Sequence, residues 1–73
     1  MINVKETGQK IKEIREYCHL TQADFAEQLG VTKSAVCKWE RGVKTPSLEN
    51  VVKIMETYKV KFDKVIAVGK EEH

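Results

Sequence analysis

Seventy-three residues, 41% hydrophobic and 33% charged with a formal net charge of +2, make one small folded domain rather than a disordered tail, and too little chain to wall an enzyme cleft. No stretch approaches the roughly 20 apolar residues of a membrane span, and the N-terminus lacks the basic and apolar blocks of a secretion signal. A cytoplasmic protein without membrane contact is expected, and two unpaired cysteines, Cys18 and Cys37, suit a reducing compartment.

The first predicted helix runs from Glu6 to Cys18, with Ile11, Ile14 and Cys18 on one narrow apolar stripe at i, i+3 and i+7. Arg15 borders that stripe, where a cation needs a partner. Thr21 then caps a second helix opened by Gln22, Ala23 and Asp24, whose inward face is Phe25, Ala26 and Leu29. Gly30 reverses the chain, because a residue without Cβ takes the left-handed conformation at little cost.

Thr32 caps a third helix. Val36 and Trp39 form its packing face, while Ser34, Cys37, Lys38 and Arg41 follow i, i+3, i+4, i+7 on the opposite side. Gly42 ends it in a left-handed cap. Small Ala26 suits the crossing of the second and third helices. Glu40 lies beside Trp39 in the same position as Arg15 on the first helix, so the two are predicted to form a partly buried ion pair.

Val43 to Thr45 form a loop, and Pro46 suits the first position of a fourth helix marked by Leu48, Val51, Val52, Met55 and Tyr58. A fifth helix is expected around Phe62 to Ile66, with Phe62, Val65 and Ile66 inward, and Ala67 to His73 as a frayed tail. The expected architecture is all-α: a five-helix bundle with helix-turn-helix, one domain over residues 1–73 with its core from about Gly8 to Ile66.

Charge is distributed unevenly. Between Lys33 and Lys44 four cations stand against one anion, a local excess of +3, so the remainder of the chain carries −1 of the total +2. The positive charge is concentrated on the third helix and the loop behind it, as a phosphate-facing surface requires.

Leu20-Thr21-Gln22, Phe25-Ala26, Leu29-Gly30-Val31-Thr32, Val36, Lys38-Trp39-Glu40, Arg41-Gly42 and Pro46-Ser47-Leu48-Glu49 together resemble the Cro and phage-repressor type of helix-turn-helix, the XRE family. The likeness is ungapped and covers about Gly8 to Ile66. It implies a lambda-repressor-like DNA-binding domain and the Arg15–Glu40 pair.

The resemblance also implies roles by position. Lys33, Ser34 and Lys38, on the half of the third helix that enters the major groove, would read base edges. Lysine suits the guanine O6 and N7 acceptors, and equally a phosphate, whereas a serine hydroxyl discriminates weakly. Gln22, Arg41 and Lys44 would contact phosphate, and Thr45 is a helix-start residue first and a backbone contact second. Ala35 offers thymine a methyl group or no contact. Cys37 replaces the small hydroxyl residue of the family pattern and is read as a small contact residue, with a redox-sensitive thiol beside Lys38 as the alternative.

The implied function is a transcriptional regulator, a repressor or autoregulator that binds double-stranded DNA at a palindromic operator as a homodimer. Phe62, Val65, Ile66 and Val68 offer the dimer surface. The competing reading is an antitoxin or adaptor that binds a partner protein. Cys18-His19 lacks the second ligand pair that a metal site needs, and neither histidine joins a nucleophile or carboxylate constellation, so no metal, cofactor or catalytic residue is expected.

Overall fold

Asn3, Thr21, Thr32 and Ser47 each place a side-chain oxygen 3.0–3.2 Å from a backbone N–H three residues on, so that the α-helices start where an orphan donor is satisfied. The computed structural model describes residues 1–69. Within them the helices are α1 (Val4–Tyr17), α2 (Gln22–Leu29), α3 (Lys33–Glu40) and α4 (Leu48–Tyr58), followed by a 3-10 turn over Phe62–Lys64. α2 carries a full capping box, Thr21 accepting from the Asp24 N–H while Asp24 accepts from the Thr21 N–H. Gly30 and Gly42, at φ +71° and +74°, make the left-handed turns that let α2, α3 and the following loop fold back on one another.

α3 packs against both α1 and α2, and α4 closes the other side of α2. Ile11, Phe25, Leu29, Val36, Trp39, Val51, Ile54, Val65 and Ile66 form one continuous core. Phe25 and Tyr58 stack with ring centroids 5.2 Å apart and planes 12° from parallel, joining α2 to the end of α4.

The structure differs from the expected five helices. Four α-helices are present among the described residues, and the segment after α4 makes only the three-residue 3-10 turn. That turn brings Val65 and Ile66 inward, and the chain then extends to meet the N-terminus. Asn3 N–H donates to the Ala67 carbonyl at 2.7 Å, Gly69 N–H donates to the Met1 carbonyl at 2.7 Å, and Ile2 and Val68 form an antiparallel bridge. A further helical turn would carry residues 67–69 away from these partners. Ala67 is accordingly buried and is no frayed tail, its N–H donating at 2.9 Å to the buried Thr7 Oγ1. Residues 70–73 of the expected tail lie outside the described residues.

Two periodicity assignments also shift. α1 starts at Val4 and buries Thr7, Gly8 and Ile11, with Cys18 as its C-cap rather than its last apolar position. In α4 the buried pair is Val51 and Ile54, whereas Leu48 and Val52 are exposed because they lie on the side turned from α2. Pro46 precedes the helix as a buried loop residue, and Ser47 caps it.

Candidate nucleic-acid interface

Burial of Val36 and Trp39 against α1 and α2 fixes the rotation of α3 about its axis, which turns Lys33, Ser34 and Lys38 into solvent. Arg41, the C-cap of α3, and Lys44 in the next loop are also exposed. Ala35 and Cys37 are half-buried, Ala35 packed against the core edge.

Thr45 is half-buried in the loop behind α3. With Lys38, Lys44, Ser47 and Asn50 it lines a polar groove of about 320 Å³ between α3 and the start of α4. Ser47 and Asn50 were not among the residues expected there from the sequence. Their place in the groove depends on how α4 meets α3, where Ser47 caps α4 and accepts from the Asn50 N–H.

Glu40, the one anion of the basic segment, faces inward. Arg15 Nε lies 2.6 Å from Glu40 Oε2 and Arg15 Nη2 donates to Oε1 at 3.0 Å, with side chains only 12% and 5% exposed. The third donor of the guanidinium, Nη1, bonds the Leu20 carbonyl at 2.8 Å. The Glu40 hydrogen bonds raise the affinity of Arg15 for its proton, burial opposes them, and the nearby charges of Glu40 and Glu16 add to the increase. The exposed face of α3 therefore shows its cations without the offset that a count of charges along the chain would give.

Gln22 stands at the first position of α2, half-buried, and its Nε2 donates to Glu40 Oε1 at 3.0 Å. The structure thus links three residues from α1, α2 and α3 through one carboxylate. The Gln22–Glu40 bond joins residues 18 apart, which no local pattern announces.

Of the four residues expected at a dimer surface, Val65 and Ile66 are 0% and 4% exposed in the core of their own chain and are unavailable to a partner. Phe62 and Val68 are 45% and 60% exposed. No helix among the described residues is long and apolar enough to cross a membrane.

Residues 11–65 match the helix-turn-helix family. Over 62 residues the chain is 34% identical to the HTH-type transcriptional activator BcrR of Enterococcus faecalis, covering 85% of this chain and 30% of BcrR. It is 33% identical over 60 residues to the cryptic phage CTXphi transcriptional repressor RstR of Vibrio cholerae, covering 77% of this chain and 54% of RstR. The chain thus spans about a third to a half of the length of these two relatives.

The crystal structure of the restriction-modification controller protein C.AhdI from Aeromonas hydrophila superposes with a TM-score of 0.77 at 27% identity, over 85% of this chain and 94% of that one. With the two short helices, the glycine turn and the outward basic face of α3 in place, the chain belongs to the helix-turn-helix family of the Cro and phage-repressor type.

Proposed function

We propose that this domain regulates transcription by binding double-stranded DNA sequence-specifically, with α3 in the major groove. Lys33, Ser34 and Lys38 read base edges, while Gln22, Arg41, Lys44 and Thr45 hold the sugar-phosphate backbone. Asn50 and Ser47 extend the backbone contact from the far wall of the groove. The observation that carries this reading is the outward basic face of α3, whose only acidic residue is turned into the protein and paired with Arg15.

Two copies act together on a palindromic operator. One eight-residue reading helix buries too little surface to reach operator affinity alone, and a two-fold arrangement doubles the contacts. Phe62, exposed on the 3-10 turn, and Val68, exposed in the paired terminal segment, support a contact between copies through the C-terminal part. Relatives include an activator and a repressor, and repression or autoregulation is the reading proposed for this chain.

Selection of bound duplexes from a random pool tests the proposal. A palindromic consensus with half-sites about one helical turn apart is expected. A pool that shows no enrichment would overturn the DNA reading. A consensus without symmetry would overturn the dimer and leave the DNA reading standing.

A further inference from the structure

The Arg15–Glu40 pair has a second consequence besides joining α1 to α3. A carboxylate only accepts hydrogen bonds, so the Gln22 side chain must present Nε2 and not Oε1 to Glu40. Nε2 carries two hydrogens, and the second points elsewhere in the amide plane. Arg15 fixes the carboxylate through two bonds, Nε to Oε2 and Nη2 to Oε1, and the same Oε1 receives Gln22. A long flexible side chain at the first position of α2 is thereby held in one orientation, while still half-exposed beside the reading helix.

We infer that Glu40 is a positioning residue for DNA binding: held by Arg15, it orients the Gln22 amide so that its second N–H meets a backbone phosphate without prior ordering of the side chain. The inference rests on the reading of Gln22 as a phosphate contact. Immobilising a rotamer-rich side chain on binding has a measurable cost, which prior ordering removes. It also ties the phosphate contact of α2 to the α3 residue that follows Trp39, so backbone contact and reading helix meet the duplex in one fixed relation.

The test exploits the fact that a buried ion pair replaced on both sides by apolar residues of similar size commonly leaves stability intact. Arg15→Met/Glu40→Met removes the acceptor of Gln22 without leaving a buried charge. Binding to a duplex of arbitrary sequence of about 20 base pairs is measured at low salt, because phosphate contact is independent of sequence. The double variant is expected to melt cooperatively and to bind about fivefold more weakly than the wild-type protein. Gln22→Ala should bind about tenfold more weakly, and the triple variant no more weakly than Gln22→Ala alone.

Wild-type affinity in Arg15→Met/Glu40→Met, or losses that simply add in the triple variant, would overturn the inference and leave the role of Gln22 intact. Unchanged binding by Gln22→Ala would overturn the phosphate reading itself. If the double variant does not fold, side-chain amide exchange in the wild-type protein decides. One Nε2 hydrogen of Gln22 should exchange more slowly than those of the exposed Gln9, and equal rates would overturn the inference.

Discussion

The backbone carbonyl of Trp39 lies where a Cβ on Gly8 would stand, and that of Glu40 lies 3.1 Å from the same point. α1 and α3 therefore touch backbone to backbone, and this contact sets the depth at which α3 is seated.

Gly8→Ala is expected to destabilise the fold, although alanine favours a helix by about 1 kcal/mol over glycine. The added methyl forces α1 from α3, a net loss of about 1–3 kcal/mol, and each kcal/mol lowers the melting temperature of a domain this size by roughly 4–8 °C. Thermal unfolding followed by circular dichroism reads the change. Gly30→Ala meets no neighbour within 4 Å and differs in mechanism: its φ of +71° strains an L-residue by about 1 kcal/mol. An unchanged melting point for Gly8→Ala would show that the helices separate freely.

Glu40→Ala leaves Arg15 charged, buried and without its carboxylate, at a cost of about 3–5 kcal/mol. Glu13→Ala, on the exposed side of α1, should change stability by no more than about 0.5 kcal/mol. Urea unfolding of the two variants gives the comparison, and equal midpoints would deny the pair its structural role. The hydrogen bonds from Glu40 hold the Arg15 proton more tightly still, so the guanidinium stays charged at every pH at which the domain is folded.

Tyr58 introduces an alkaline effect. Burial raises its hydroxyl above the ordinary tyrosine range, and repulsion from the negative charge that Cys18 carries in alkali adds to the shift, while the hydroxyl donates at 2.8 Å to Gln28 Oε1. The native state then holds this proton more tightly than the unfolded chain. Stability from Tyr58 is complete below about pH 10 and declines as pH rises through its folded value. In a Tyr17→Phe background, ultraviolet titration should show tyrosinate forming above that ordinary value. Tyr58→Phe should remove this part of the alkaline loss of stability.

On DNA, Lys38→Ala and Arg41→Ala should behave differently. Lys38→Ala is expected to relax preference at one position of the selected site, by about 1–3 kcal/mol. Arg41→Ala should weaken binding to all duplexes and reduce the slope of log affinity against log salt by about 0.9. Salt titrations on a selected and a scrambled duplex separate the two effects. A sequence-independent loss from Lys38→Ala would reassign that lysine to phosphate.

Local chemistry determined most of the reading segment by itself. Thr21, Gly30, Thr32 and Gly42 act on backbone groups within a few residues of themselves, so caps and turns of α2 and α3 are legible along the chain. The packing face of α3 follows from a period of 3.6, and the outward placement of Lys33, Ser34 and Lys38 follows from it. Tertiary structure decided what depends on partners distant in sequence. Residues 62–69 carry apolar side chains compatible with a fifth helix, but hydrogen bonds from Ala67 and Gly69 to the N-terminal segment, about 60 residues away, draw them into a short turn and an extended strand-like end. Val65 and Ile66 are thereby buried in their own core, whereas Phe62 and Val68 stay exposed. Likewise the amide of Gln22 has two orientations in any isolated helix, and only the carboxylate that Arg15 holds across the fold selects one.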